Sequence, residues 1–380
     1  MPYKSRLSSR IYGKSVTHDV KTKWAVKTLF AILILCFFNI FLSACSQNFI
    51  SLRVYSDFTI IPSNTKAARP ESLLLNNEIM LSYLQLLPRR TFRLIRFDKD
   101  LKFKGHQDLD SGENQPTDIR VCQGSNNSIV YVFETINFPK RGPNHLYIAS
   151  YEVRDSIIVN SNKPKMIGVS KPFIIPRLLP KPGDVILDDS PPYFYNDQII
   201  VINRKWESAI IQVQFFSRDL KLIKKYNLDL RKFIPKSYIG KCCLIDMNER
   251  PYLVAMVYDG PPNGYNQSYS ALFEFDTKIT SVENYQVLSK TSDYGGIVNC
   301  ARYNSGILYV ASDILMPQSK HTGIIEAFSV KQGFQKVASI KVNEGVMVDN
   351  HFSFEILDKK IIVFYPIPGE EIRLKIISIN

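Results

Sequence analysis

The sequence pattern that decides the fold is clearest in three segments: Thr117-Asp-Ile-Arg-Val-Cys122, Ser128-Ile-Val-Tyr-Val-Phe-Glu134 and His145-Leu-Tyr-Ile-Ala-Ser-Tyr151. Each is short and rich in Ile, Val, Tyr and Phe, and the gaps between them contain Asn, Gly and Pro. Runs of β-branched and aromatic residues separated by turn residues are typical of β-strands. The three segments therefore predict a first strand, a strongly hydrophobic strand and an alternating strand of one β-unit.

The same pattern occurs six times along the chain. First strands begin near residues 70, 118, 189, 239, 296 and 351, so successive copies are 48, 71, 50, 57 and 55 residues apart. All-β units of about 40–50 residues are typical of the four-stranded blades of a β-propeller. We therefore predict an all-β chain with a single propeller of six blades, or of five if one copy is an elaboration. Two β-sandwiches are the alternative, but sandwiches do not predict similarity between copies.

The last copy of the pattern, 351–377, lacks an outer strand. A strand-like segment at 49–61 precedes the first copy, and it is well placed to supply the missing strand. Such pairing would close the ring and leave no open sheet edge. We predict that segment 49–61 is the outer strand of the last blade.

A basic and then apolar leader precedes the repeats. Residues 1–27 carry seven cations and one acid, a net +6, and residues 28–42 are largely apolar. Of the formal net charge of +13, only +7 remains for the rest of the chain, which argues against a nucleic-acid partner. We expect two parts: a leader and signal or anchor segment over residues 1–45, and a propeller domain over 46–380.

The end of the leader, Leu42-Ser43-Ala44-Cys45, resembles a bacterial lipobox, which implies cleavage before Cys45 and attachment of fatty acyl chains to that cysteine. The alternative is an uncleaved signal anchor over Trp24–Leu42, slightly short of the about 20 residues that span a bilayer. Both alternatives place residues 46–380 outside the cytoplasm and tie the chain to a membrane. The expected location is the cell envelope, on the periplasmic or cell-surface side.

The cysteines beyond the leader are Cys122, Cys242, Cys243 and Cys300. In an oxidising compartment one or two disulfides are allowed, and the preferred pair would be Cys300 with either Cys242 or Cys243. Buried free thiols are the alternative. The chain has no C-x-x-C and no histidines at ligand spacing, so neither a metal site nor a cofactor is predicted.

Carboxylates recur at the start of the first strands. Glu71, Asp118 and the pair Asp188-Asp189 occupy this place in three copies. First strands of propeller blades line a central channel, so these side chains are expected to converge at one mouth. Convergent carboxylates suit glycoside hydrolysis, in which an acid protonates the leaving oxygen and a base activates water. Ordinary turn and strand-start acids are the alternative explanation.

Several short motifs resemble the blade openings of the glycoside-hydrolase-like five-bladed propellers, a group that includes arabinanases, xylosidases, fructosidases and β-mannoside phosphorylases. The motifs are Pro70-Glu71-Ser72, Thr117-Asp-Ile-Arg120, Asp189-Ser-Pro191 with Tyr195-Asn-Asp197, and Asn350-His-Phe-Ser353. The resemblance spans residues 65–365 in outline, and each motif is short and degenerate.

The resemblance implies a role for each of these residues. Glu71 would be the general base, Asp189 the general acid, and Asp118 the residue that tunes the pKa and orients the sugar. Further expected substrate-binding residues, on motif position or on the aromatic loop 258–269, are Arg120, Asp188, Tyr195, Tyr265 and His351. Arg120 would hold a sugar hydroxyl, or a phosphate in a phosphorolytic reaction.

The chain departs from the family pattern in ways that affect activity. Glu71 stands where the family usually has Asp, Asp189 where it usually has Glu, and Ile119 replaces a proline. A change of one methylene moves a carboxylate by more than catalysis tolerates. Two functions therefore remain open: a propeller that acts on glycans by an inverting mechanism, and a non-catalytic propeller that binds a polysaccharide or a protein.

Overall fold

The structure is a computed structural model, and it describes residues 50–61, 66–87, 90–110, 115–125, 127–136, 144–154, 157–170, 185–186, 190–205, 207–260, 267–292, 296–316, 320–345, 351–367 and 371–380. The predicted leader, with Cys45, lies outside these residues, as do Asp188, Asp189, Tyr265 and the proline-rich stretch 171–183. Within the described residues, no helix has both the length and the apolar character to cross a membrane.

The described residues form 25 β-strands and a short 3-10 helix, Val330–Gln332. The first nine strands are β1 (Leu52–Ile61), β2 (Ala67–Leu75), β3 (Glu78–Gln85), β4 (Thr91–Phe97), β5 (Phe103–Leu109), β6 (Gln115–Gln123), β7 (Ser128–Ile136), β8 (Asn144–Arg154) and β9 (Ile157–Ser170). The next nine are β10 (Val185–Ile186), β11 (Tyr193–Tyr195), β12 (Gln198–Lys205), β13 (Ile210–Phe216), β14 (Leu222–Asp229), β15 (Ser237–Met247), β16 (Arg250–Asp259), β17 (Ser268–Phe275) and β18 (Val282–Ser292). The last seven are β19 (Gly296–Asn304), β20 (Ile307–Met316), β21 (Lys320–Ser329), β22 (Gln335–Gly345), β23 (Ser353–Leu357), β24 (Lys360–Ile367) and β25 (Glu371–Ile379).

These strands form six antiparallel sheets, which are the six blades of a β-propeller. Blades 1 and 2 are β2 to β5 and β6 to β9; blades 4 and 5 are β15 to β18 and β19 to β22. Blade 3 is β11 to β14, with the two-residue β10 added beside β12. Blade 6 has the order β23-β24-β25-β1. The predicted all-β propeller is confirmed, and its six blades are one more than in the family that its motifs resemble.

The first strand closes the ring as predicted. β1 pairs with β25 antiparallel from Leu52 opposite Ile379 to Ile61 opposite Ile372. The N-terminal strand thereby becomes the outer strand of blade 6, whose other three strands come from the C-terminus. This pairing covers the edge of β25, which would otherwise expose unpaired backbone groups.

The hydrophobic core is divided into six clusters, one between each pair of neighbouring blades. Strands alternate their side chains, so one strand serves two clusters: Ile200 and Ile202 of β12 face blade 4, whereas Ile199 and Val201 face blade 2. Each blade is therefore buried on both faces, which explains the near-continuous apolar runs in the sequence.

The disulfide considered between Cys300 and Cys242 or Cys243 is absent: Cys122, Cys242, Cys243 and Cys300 are all free thiols. The physical reason is their distribution among the cores. Cys242 packs between blades 3 and 4, Cys243 between blades 4 and 5, and Cys300 between blades 5 and 6. The three side chains leave the inner strands in different directions, so they serve as small buried apolar groups, which was the alternative explanation.

Candidate functional site

The candidate site lies where the inner strands of blades 1 and 2 begin. In both blades the pairing of the inner strand with its neighbour is irregular at this point, between Ala68 and Glu71 in β2 and between Pro116 and Asp118 in β6. Arg69, inside the first irregularity, has a φ of 54°. This left-handed conformation costs an ordinary residue about 1–2 kcal/mol. Irregular pairing of this kind redirects side chains, and it is frequent beside functional sites.

Two of the predicted catalytic residues, Glu71 and Asp118, are buried at the contact between blades 1 and 2. Each pairs with an arginine of the other blade. The guanidinium of Arg120 on blade 2 donates to the Glu71 carboxylate on blade 1. In the opposite sense, Arg69 Nη1 on blade 1 lies 2.8 Å from Asp118 Oδ2 on blade 2, and Arg120 Nη2 lies 3.6 Å from the same oxygen. Two crossed ion pairs therefore join these blades at the channel.

A third ion pair joins blades 5, 6 and 1. Arg302 of β19 donates through Nη2 to Glu355 Oε1 of β23 at 2.6 Å and through Nε to both carboxylate oxygens, at 3.2 and 3.1 Å. Glu355 also accepts from Ser72 Oγ of β2 at 3.2 Å, and Arg302 Nη2 donates to the Ser72 carbonyl at 3.3 Å. Glu355 is therefore held by two other blades.

The electrostatics of this group centre on Glu71. Burial raises the pKa of Glu71 above its ordinary value, although the positive charges of Arg120, Lys241 and Arg302 oppose that rise. Lys241 comes from the inner strand of blade 4 and is itself buried. We call Arg69, Glu71, Asp118, Arg120, Lys241, Arg302 and Glu355 the channel charge cluster. It holds four cations and three carboxylates, contributed by five blades.

The other predicted site residues do not all join the channel charge cluster. His351 is buried just before β23, at the beginning of the inner strand of blade 6. Tyr195 lies at the far end of its inner strand, where its ring stacks on Tyr193 and its hydroxyl donates to the Glu249 carbonyl at 3.2 Å. That position is beside the hairpin turns, at the opposite end from Arg69 and Asp118.

Sequence reasoning missed four members of the channel charge cluster: Arg69, Lys241, Arg302 and Glu355. Each is a charged residue within a strand whose neighbours are mostly buried, as in the pattern of β15 and β19. A charge in an otherwise apolar inner strand was therefore the available signal. Among the described residues, no group of His, Cys, Asp and Glu side chains is arranged to hold a metal ion.

Sequence comparisons leave the family open. No protein-family model matches the chain. No curated protein is similar to it in sequence. Solved structures do match the fold. A protein of unknown function from Dyadobacter fermentans DSM 18053 has a TM-score of 0.56 at 10% identity, over 87% of this chain and 99% of that one.

Two further matches are named enzymes. The endosialidase of phage phi92 matches with a TM-score of 0.55 and 8% identity, over 87% of this chain and 69% of its own. The alpha-L-arabinanase of Penicillium chrysogenum, in complex with arabinobiose, matches with a TM-score of 0.51 and 12% identity, over 86% of this chain and 98% of its own. At such low identity these similarities establish the fold alone, that of a β-propeller.

Proposed function

We propose that this protein is an exported, membrane-anchored β-propeller that recognises a glycan at the end of the channel where the inner strands begin. The observation that carries the proposal is the channel charge cluster, in which cations outnumber carboxylates and five blades contribute side chains. Two of the similar structures are those of an endosialidase and of an arabinanase with arabinobiose, which supports a glycan as the ligand.

The accessible members of the cluster are suited to binding sugar oxygens. The side chains of Arg69 and Arg302 are 27% and 30% exposed, and each is held by a carboxylate, Asp118 and Glu355 respectively. A guanidinium fixed in this way presents its remaining N–H donors to hydroxyl or carboxylate oxygens at little further entropic cost. Arg120, expected from the motifs to hold substrate, is buried and bonded to Glu71, so it supports the site from behind.

The pairing of the carboxylates favours binding over catalysis. A general base must accept a proton and a general acid must release one, but Glu71 and Asp118 are both occupied by arginine. One observation favours the second candidate, an inverting hydrolase: burial raises the pKa of Glu71. A raised pKa suits a general acid, whereas the motif resemblance gives Glu71 the role of base. Asp189 would then have to serve as the base.

A binding and turnover experiment on the full-length chain separates these functions. We expect glycan-array binding that is lost in Arg69→Ala and Arg302→Ala and retained in Arg250→Ala, a control at an exposed arginine of blade 4 that pairs with Glu274. We also expect no turnover of aryl glycosides, with or without phosphate. Turnover abolished by Asp118→Asn and Asp189→Asn would establish the hydrolase or phosphorylase instead. Glycan binding that survives both arginine variants would refute the proposed site.

A further inference from the structure

We propose a second ligand site, for an uncharged sugar residue, in a cleft between blades 2 and 3. The cleft has a volume of about 340 Å³ and lies beside the turn that joins β6 to β7. This volume falls within the range of about 300–1,000 Å³ that is usual for small-ligand sites. Its walls come from β7, β8 and β9 on one side and from Phe194, Ile199 and Arg218 of blade 3 on the other.

The cleft occurs where the packing between blades is thinnest. In the described part of the chain, eight buried apolar residues form the cluster between blades 2 and 3, against 20 between blades 3 and 4. Val130 and Ile199 belong to this small cluster and also form the floor of the cleft. The blades therefore leave a space at their hairpin-turn end, which is lined by polar groups as well as by Val130, Phe194 and Ile199.

The neutral polar part of the lining consists of hydroxyls and amides, several of which are held in place by hydrogen bonds. Asn162 Nδ2 donates to Ser150 Oγ at 2.7 Å, and Ser128 Oγ donates to the Ser125 carbonyl at 2.6 Å. Asn127 Oδ1 accepts from Asn76 Nδ2 of blade 1 at 3.0 Å. Such fixed groups, which both donate and accept, match the hydroxyls of a sugar, and the ring of Phe194 offers an apolar surface to its C–H face.

The charges around the cleft favour a neutral ligand. Glu152 is paired with Arg154 at 2.7 Å, and Arg218 is paired with Asp197. Both charged lining residues are therefore already compensated within the protein. This distinguishes the cleft from the channel charge cluster, where cations are in excess.

The cleft and the channel charge cluster are separate sites. Asp118 lies near the start of β6 and Gly124 directly follows its last residue, Gln123, so the two are six residues apart, which corresponds to about 20 Å along a strand. The proposal for the cleft does not depend on glycan recognition in the channel, and each can fail without the other.

Binding of small sugars to the full-length chain tests the proposal. The probes are glucose, galactose, arabinose and their disaccharides, with glucuronate and sialate as charged counterparts, measured by saturation-transfer NMR. We expect the neutral sugars to bind. Asn162→Phe, which fills the cleft, should weaken their affinity by about tenfold or more. Asn162→Ala removes the amide without added bulk and should also weaken binding. Asn227→Phe and Asn227→Ala, at an exposed position of the outer strand β14, are matched controls.

Three results would overturn the proposal: no binding of neutral sugars by the native chain, equal loss in the Asn162 and Asn227 variants, or a preference for the charged sugars. The Asn162→Ala comparison decides the question if Asn162→Phe does not fold. Neutral-sugar binding that persists in the Arg69→Ala/Arg302→Ala chain is expected, because the cleft lies at the other end of the strands. Failure of the channel proposal alone would leave this result unchanged.

Discussion

Arg120 is the side chain on which the charge balance of the channel depends most. It is almost fully buried, donates to Glu71 and lies near Asp118. Removal of one partner from a buried ion pair typically costs about 3–5 kcal/mol, because the other charge is left uncompensated. We therefore expect Arg120→Met to lower the free energy of unfolding by about that amount, measured by urea denaturation of the full-length chain.

The double variant Arg120→Met/Glu71→Leu is the control for this interpretation. Well-packed apolar residues often replace a buried ion pair at little net cost. The double variant should therefore be more stable than Arg120→Met alone. If both have the same stability, the loss comes from packing of the Arg120 side chain and not from the charge left on Glu71.

The pH dependence of the same variant gives a second prediction. Burial already raises the pKa of Glu71, and removal of Arg120 takes away one of the charges that oppose the rise. When a carboxyl has a higher pKa in the folded protein than in the unfolded chain, the protein loses stability as the pH rises through that range. The reason is that ionisation of the carboxyl is disfavoured in the folded state. The deficit of Arg120→Met relative to the native chain should therefore be smaller at pH 5 than at pH 8 in urea titrations. A constant deficit would contradict this.

At the residue scale, the sequence indicated part of the candidate site. Glu71, Asp118 and Arg120 lie within short motifs near the start of two inner strands, and the structure brings them together. Arg302 and Glu355 lie in no such motif. Glu355 accepts a hydrogen bond from Ser72, which is 283 residues away in the sequence. That contact exists only because the ring closes, so no local pattern predicts it.

At the level of elements, the outer strand β1 is tied to its neighbours through Asp57. Its carboxylate accepts from Tyr365 at 2.8 and 2.7 Å, and Arg373 Nε and Lys375 Nζ lie 3.1 and 3.3 Å away. We expect Asp57→Ala to lower the free energy of unfolding by about 1–3 kcal/mol, because several partners lose their acceptor. Urea denaturation measures the change.

Asp108→Ala is the matched control for the change at Asp57. Asp108 also lies on an outer strand and pairs with Arg93 at 2.7 Å, but its side chain is 51% exposed. Exposed ion pairs contribute about 1 kcal/mol or less. An equal decrease in the free energy of unfolding in the two variants would show that the Asp57 contacts stabilise β1 no more than an exposed ion pair does.

The three strands of each blade nearest the channel could be predicted from the sequence, whereas most of the outer, fourth strands could not. These three strands are largely buried on both faces and read as apolar runs, most clearly in the second strands β7 and β24. The outer strands β5 and β14 bury one narrow face, so Phe103–Leu109 and Leu222–Asp229 are mostly exposed and polar. Their hydrophobic pattern is too weak to separate them from loops, and β1 was found because ring closure required it.

At the scale of the whole molecule, the chemistry of the mature N-terminus tests the proposed anchoring. If the lipobox resemblance is meaningful, a chain expressed in a bacterial host should lose residues 1–44 and carry acyl groups on Cys45. Intact-mass spectrometry of the membrane fraction measures this, with Cys45→Ser as the control that should block processing. An unmodified chain of 43.6 kDa in that fraction would favour the uncleaved signal anchor.

The pairing of β1 with β25 also determines when the ring can close during synthesis of the chain. β1 is translated more than 300 residues before its partner β25, Glu371–Ile379. The ring therefore stays open until β25 has been synthesised, and until then the edge of β1 has no partner strand. A nascent or truncated chain that lacks β25 can still form blades 1 to 5 but cannot pair β1 with blade 6, and it should be the form most dependent on chaperones.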